Sequence, residues 1–590
     1  MTEKTHEIER QADFPTDTSG LPRAVSSSVI ELADGDTTQL HIGPVVKRVG
    51  DADVRMLAYN GSVPGPTFKI PEGATVTIQV TNEGDLEATV HWHGLRLENR
   101  YDGTHDTQAP IPVGGTFTYQ VHVPDPGAYW YHPHIREDYG QELGLYGNIH
   151  VVPAEPDYWP PVNREVFLTL DDVLIEDGKI VGFSASETTH VAMGRFGNVM
   201  LVSGEPELAL TAKRGEVVRF YFTNTANTRV FNVALPGARM KLVGGDSGHY
   251  EHESFVEEVL LSPSERFVVD VLFEQPGEHV LEHRTPARSY RLASIAVADD
   301  PAEPALAEGF VALRTNDDMA AERERVAPLL HAAPDKSLAF VAEMDFEAAE
   351  GAVYSCPMHL DVVSEEPGRC PQCGMKLLPM EAPETTYVCP MHPDVTSDSP
   401  DRCPECGMKL VPAHFVDTSQ HAGHDMHAAP GEHHDHHPAH AEDEGHGHAD
   451  HGHEHAQGIE WEDDMVEVNR LTTPANMRWK IVDRDTGLAN AAIDWTFRVG
   501  DQVKIRLVNE MDSDHPMPHP FHVHGAGRFL VLARDGVEEP NLVWKDTVLV
   551  RTGETVDILL DVTNPGRWMA HCHIAEHHES GMMFGFDVEE

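Results

Sequence analysis

Positive charge is the scarcest component of this 590-residue chain: Lys and Arg number 43 against 97 Asp and Glu, a formal net charge of −54. So acidic a surface repels a phosphate backbone and excludes nucleic acid as a partner; its plain reading is a heavily solvated, soluble protein. Long apolar runs are missing as well. No window approaches the roughly 18 apolar residues a membrane helix needs, so no membrane insertion is expected. The opening stretch from Met1 to Pro22 has neither an apolar core nor a twin-arginine pair, which argues against an export signal. The expectation is a cytoplasmic monomer, or a periplasmic or extracellular one if a signal is missing from this chain. Cysteine is sparse too: seven in all, Cys356, Cys370, Cys373, Cys389, Cys403, Cys406 and Cys572. Six form two identical triplets containing Cys-x2-Cys pairs, which points to metal chemistry and away from a disulfide framework.

What is present begins with alternation. From Glu72 to Asn82, Val76, Ile78 and Val80 alternate with polar residues, the mark of a half-buried strand. The unit recurs at Arg214 to Asn224 (Val218, Phe220, Phe222) and at Val499 to Asn509 (Val503, Ile505, Leu507). Each copy sets a Gly nine residues before an Asn: Gly73 and Asn82, Gly215 and Asn224, Gly500 and Asn509. A Pro-Gly turn follows each, at Gly127, Gly277 and Gly566. Three copies of one β domain are expected.

Aligning the copies on that turn compares their chemistry. Five residues past the glycine stand His132, Glu282 and His571, and two further on His134, Arg284 and His573. The outer copies therefore share a ligand pair that the middle one lacks, so a metal centre between domains one and three is expected, with the middle domain mainly a spacer. His91 and His93 add a pair in the first domain, and His519, His522 and His524 a pair plus an extra imidazole in the third. The segment His571 to Met583 also carries Cys572, His577 and Met582. A thiolate with imidazoles and a weak thioether is the donor set of a blue copper electron-transfer site. In a strand, His571 and His573 face away from Cys572 and can serve a second centre.

These four His-containing motifs resemble those of the multicopper oxidases, the family of laccases, cuprous oxidases and copper-resistance oxidases, over residues 40 to 300 and 460 to 590. The resemblance implies an all-β chain of three cupredoxin-like Greek-key domains and four copper ions. His519, Cys572, His577 and Met582 would hold one type 1 copper. His91 and His522 would hold the type 2 ion, and His93, His132, His134, His524, His571 and His573 the two type 3 ions. A reductant would be oxidised at the type 1 copper and dioxygen reduced to water at the other three. Reduction consumes protons, so Asp102, nine residues after His93, is the expected acid. Many bacterial relatives carry Glu directly after the type 1 His; this chain has His578 there, leaving His578 or Glu579 as the second candidate, with His577 as the electron-entry ligand.

Between the second and third domains lies additional material. Cys356, His359, Cys370 and Cys373 recur 33 residues on as Cys389, His392, Cys403 and Cys406. Each set can close a tetrahedral site for Zn(II) or another soft ion, and the repeat resembles the small heavy-metal-binding domain of efflux adaptors and copper-transporting ATPases. The His-dense tract from His421 to His455 is too polar to pack a core and is expected to be disordered and metal-scavenging. The resulting division is a flexible leader (1–39), domain one (40–155), domain two (156–300), a linker (301–350), two metal repeats (351–380 and 384–413), the His-rich tract (414–458) and domain three (459–590). Three functions follow as expectations: a metallo-oxidase that oxidises Cu(I) with dioxygen in copper tolerance; a laccase-like oxidase of small phenols with His577 beside an open pocket; or a metal-sequestering protein whose cluster is idle.

Overall fold

The computed structural model describes residues 14–182, 193–345, 458–462, 472 and 476–590, with shorter stretches between 353 and 412. These fall into two units, residues 1–345 with 457–590, and residues 346–456.

The first unit contains the three β domains, each built from two sheets. Domain one pairs a five-stranded sheet that includes His91–His93 and Gly127–His132 with a four-stranded sheet centred on Thr37–Val49 and Thr75–Asn82. Domains two and three each pair a six-stranded with a five-stranded sheet. The repeated alternation is realised as the strands Thr75–Asn82, Glu216–Asn224 and Gln502–Asn509. Val76, Ile78 and Val80 are wholly buried in the core of domain one, each contributing on the order of 2 kcal/mol.

The structure explains the repeat's two fixed residues. Gly73, Gly215 and Gly500 have φ of +79°, +79° and +96°, the left-handed region where a side chain is strained. Each closing Asn is buried and its amide donates to two carbonyls of the following crossover: Asn82 to Leu86 and Ile111, Asn224 to Arg229 and Leu261, Asn509 to Met517 and Val550. One side chain thus satisfies backbone acceptors that burial would otherwise leave unpaired.

Three expected boundaries are corrected. The strand Lys336–Met344 lies inside the expected linker, yet it pairs antiparallel with Met477–Asp483, from Leu338 opposite Asp483 to Met344 opposite Met477, and parallel with Gln502–Asn509. Domain three therefore begins before the insertion, which leaves the chain at the end of a strand pair. The preceding helix Asp317–Val326 belongs to the same unit, its Met319 and Val326 packing with Leu530, Leu532 and Leu559. The leader is likewise built in from Phe14, which is buried edge-on against Tyr139 and is followed by the strand Val29–Glu31. The sequence hid these elements because the Gly and Asn landmarks mark only the middle of each domain.

The second unit repeats itself. Val353–Ser355 pairs with Val363–Ser364 and Leu378–Met380, and 33 residues later Tyr387–Val388 pairs with Thr396–Ser397 and Val411–Pro412. Tyr354, Val362 and Leu377 form one small core, and Tyr387, Val395 and Leu410 the other. The His-rich tract lies outside the described residues.

Candidate metal centres

Sheet register assembles the first centre. His91 pairs with His132 across neighbouring strands of domain one, and His522 with His571 in domain three. The two faces meet so that His93 stacks on His522 with ring centroids 3.8 Å apart, and His91 lies 4.1 Å from His524. All eight imidazoles are buried. They sort into His93, His132 and His573, into His134, His524 and His571, and into His91 with His522, the last pair also grouping with His93; the resemblance implied the pair His91 and His522 and left the other six as one set. No group is completed by one strand. The matching middle-domain residues, Glu282 and Arg284, bond to each other at 2.9 Å.

Hydrogen bonds to oxygen fix which nitrogen is free in six of the eight rings. His91 Nδ1 lies 2.7 Å from the Asp102 carbonyl, His132 Nδ1 2.9 Å from that of Pro133, His522 Nδ1 2.8 Å from that of Asp546 and His571 Nδ1 2.9 Å from that of Cys572. His524 Nδ1 donates to Asp102 Oδ2 at 2.8 Å, and His93 Nε2 to Asp546 Oδ1 at 3.0 Å. A carbonyl or carboxylate only accepts, so each of these nitrogens carries the proton and the opposite one presents a lone pair. Nε2 of His91, His132 and His522 and Nδ1 of His93 have no partner among the described residues. Nε2 of His524 lies 3.2 Å from His134 Nε2 and 3.1 Å from His571 Nε2, three ring nitrogens converging on one point. Burial, with the neighbouring imidazoles, drives down the pKa values of His93, His132, His134, His522, His524, His571 and His573, that of His524 to about 4. These seven are therefore neutral, the state that binds a metal. This donor set fits copper ions well.

The second centre lies on the opposite face of the same strand. Cys572 Sγ stands 3.4 Å from His519 Nδ1 and 3.6 Å from His577 Nδ1, all three buried. Met582 is buried with them, its carbonyl accepting from the Cys572 amide. Phe340 stacks on His519 at 5.3 Å and Trp479 on His577 at 3.8 Å. The laccase-like reading expected His577 beside an open pocket; instead His577 is buried beneath the indole of Trp479.

Two carboxylates border the histidine cluster. Asp102 is buried, and although burial opposes it, the facing His524 and His91 hold its carboxyl well below the usual range, so it is an ionised acceptor. Glu137, which carried no signal in the sequence, is buried with Oε1 3.2 Å from His134 Nε2 and Oε2 3.8 Å from His578 Nδ1. Burial, reinforced by Glu579 and Asp138, pushes its carboxyl well up. Glu579 itself is half-buried at the end of the helix Ala575–Glu579, whereas His578 is buried, packs 4.6 Å from His571 and is kept neutral by burial at about 3.

Sequence reasoning also missed Asp546, Trp479 and Arg266. Their only signal is position; that of Asp546 becomes visible once strand Thr547–Val550 is registered against His519–Val523. In the second unit Cys356 and Cys370 lie 3.6 and 3.4 Å from His359 Nδ1. Cys373, Cys389, His392, Cys403 and Cys406 lie outside the described residues.

Three family models described as multicopper oxidase match residues 45–156, 166–295 and 462–590, and one described as heavy metal binding domain matches 353–380 and 386–413. Among curated relatives, a Staphylococcus aureus multicopper oxidase is 30% identical over 36% of this chain and 48% of its own length. A Mycobacterium tuberculosis multicopper oxidase is 31% identical over 40% and 52%, and copper resistance protein A of Pseudomonas syringae pv. tomato 25% identical over 43% and 48%. The chain spans about half the length of the curated relatives it matches. The same fold is seen in a Campylobacter jejuni multicopper oxidase described as a metallo-oxidase, with 18% identity, a TM-score of 0.59 and coverage of 97% of this chain and 98% of that one. An Ochrobactrum laccase-like oxidase gives 18% identity, a TM-score of 0.60 and coverage of 96% and 100%.

Proposed function

This chain belongs to the multicopper oxidase family, and on that premise we propose that it oxidises Cu(I) to Cu(II), one electron at a time, with dioxygen as the terminal acceptor. Four such oxidations and four protons reduce one dioxygen to two waters. The observation that carries the reading is the set of buried, neutral imidazoles whose free nitrogens converge, backed by a Cys572 centre on the other face of the same strand. We assign His519, Cys572, His577 and Met582 to one copper and the eight-histidine cluster to three. Bound there, copper supplies the one-electron redox steps that no side chain can. The backbone from Cys572 to His571 and His573 gives a covalent link between the two centres.

Around them the protein orients and excludes. Asp102 and Asp546 hold ligand rings in one tautomer, and Trp479 and Phe340 keep water from His577 and His519. Glu137 holds a proton on its carboxyl beside His134, whereas Asp102, being ionised, accepts; of the two, Glu137 is the proton donor we assign.

Cu(I) is favoured over phenols because the indole of Trp479 covers His577. The strand that carries Trp479 is also the one that follows the Cys- and His-rich insertion. Zn(II) or Cu(I) in the Cys repeats, and metal storage by the insertion, are parts of the same proposal.

The test is copper stoichiometry with an absorption spectrum, followed by oxygen uptake with Cu(I). Four coppers per chain are expected, with an intense visible thiolate band that Cys572→Ser abolishes; a band surviving that change refutes the assignment. Oxygen uptake with phenols alone would move the reading to a laccase. No uptake with any reductant would move it to a sequestering protein.

A further inference from the structure

Asp102 and Asp546 occupy equivalent places on opposite sides of the histidine cluster. Each gives its backbone carbonyl to one ring and its carboxylate to another. Asp102 takes His91 on the carbonyl and His524 on the carboxylate. Asp546 takes His522 on the carbonyl and His93 on the carboxylate. The arrangement crosses the interface both ways, since Asp102 of domain one holds a domain-three ring and Asp546 of domain three holds His93 of domain one.

The symmetry breaks at one residue. Among the described residues no cation is paired with Asp102, while Asp546 is gripped by Arg266, Nη1 at 2.8 Å from Oδ1 and Nη2 at 2.5 Å from Oδ2. Arg266 is wholly buried and comes from the middle domain, which supplies no ligand. Its other donors go to the Ala128 carbonyl of domain one and the Ser264 carbonyl of its own domain, each at 2.8 Å. One guanidinium therefore ties three domains together directly beneath the cluster. The space is tight: Gly94, next to His93, has φ +82°, and a methyl group there would overlap the Asp546 carboxylate.

We infer that Arg266 is a positioning residue for the copper cluster, acting through Asp546 to keep the proton of His93 on Nε2 and so leave Nδ1 free to bind metal. The inference rests on the proposed copper cluster. A bidentate guanidinium fixes both carboxylate oxygens; Oδ1 then accepts from His93 Nε2 and from Thr547 Oγ1, which itself lies 3.1 Å from that nitrogen. Outer hydrogen bonds of this kind set the tautomer and orientation of metal-binding imidazoles. The middle domain is on this view a structural part of the metal centre.

Arg266→Gln separates the possibilities. Without the guanidinium the Asp546 carboxylate is no longer fixed against His93 Nε2, and Thr547 Oγ1, 3.1 Å from that nitrogen and able to donate as well as accept, can take its place and let the ring proton move to Nδ1. The expected result is the loss of at least one of the four coppers per chain with the blue thiolate band retained, because His519, Cys572 and His577 do not touch Arg266 or Asp546. Asp102→Asn is the control: with no cation competing, its oxygen still accepts from His524, and four coppers are expected to remain. Four coppers in Arg266→Gln would overturn the inference, as would equal loss in both variants. Loss of the blue band together with the cluster would mean unfolding. Arg266→Lys, which keeps the charge and loses the fork, then carries the test with the same two readouts, and four coppers there overturn the inference. The metal-free wild-type chain gives a check that needs no variant: 15N-histidine spectra should show His93 protonated on Nε2, and protonation on Nδ1 would refute the inference. A wild-type chain that takes up no cluster copper would instead refute the proposed function.

Discussion

Glu137 is the residue where a small change is expected to be most informative. Its carboxyl, pushed up by burial and by Glu579, sits 3.2 Å from His134 and 3.8 Å from His578. Glu137→Gln keeps the shape and removes the transferable proton. Oxygen uptake with saturating Cu(I) is expected to fall about 100-fold, the usual scale of general acid catalysis, while copper content and the blue band stay unchanged. Uptake within about twofold of wild type would return the role to His578 or Glu579. The contrast with the eight histidines shows what can be read from a chain alone. His91, His93, His132 and His134 lie at positions that repeat-related landmarks make comparable, and a ligand needs a particular residue type. Glu137, Asp546 and Arg266 are ordinary charged residues, and only tertiary structure brings them to the cluster. Asp102 was legible by its spacing from His93, but its ionised state comes from the facing rings of His524 and His91.

At the scale of elements, the helix Ala575–Glu579 closes the segment that carries both centres, and one buried carboxyl docks it on the middle domain. Glu576 reaches Thr228 Oγ1 at 3.2 Å, and burial raises its pKa to about 8. A carboxyl raised in the folded state favours folding least at high pH: unfolded chains ionise above about pH 4.5 while the folded one stays protonated. Stability is therefore complete below that pH and is lost progressively as pH rises toward 8. Glu576→Gln should remove this slope, raising stability over wild type by at most about 3 kcal/mol at pH 7 and by nothing at pH 4, as measured by denaturant unfolding. Equal effects at both pH values would show that the helix is held by other contacts. The strands were legible in the sequence wherever one face is buried, as at Val76, Ile78 and Val80. Glu216–Asn224 was read by the alternation of Val218, Phe220 and Phe222 and by its Gly and Asn, yet is buried on both faces. Lys336–Met344 was missed because its partner in the sheet follows more than 130 residues later.

At the scale of the molecule, the insertion can be removed on paper without breaking a sheet. Met344 is the last paired residue before it, and just after it Ile459 and Trp461 pack on Val230 and Leu549 of the first unit. Replacing residues 346–456 by a flexible Gly-Ser linker should leave the copper content and the blue band proposed for the first unit intact. Oxygen uptake should drop when Cu(I) is scarce and recover when it is abundant. An unchanged rate at low Cu(I) would mean that the insertion stores metal and does not feed the oxidase; loss of the blue band would mean that it helps to fold domain three.

The strand pair Lys336–Met344 and Met477–Asp483 thus acts as a port. Phe340 and Trp479, which seal the cysteine centre, lie on its two strands, and the chain leaves for the insertion after Met344, at the end of the first. Such a joint lets the inserted module be exchanged over evolutionary time, or by an engineer, while the buried ligand groups behind the seal stay as they are.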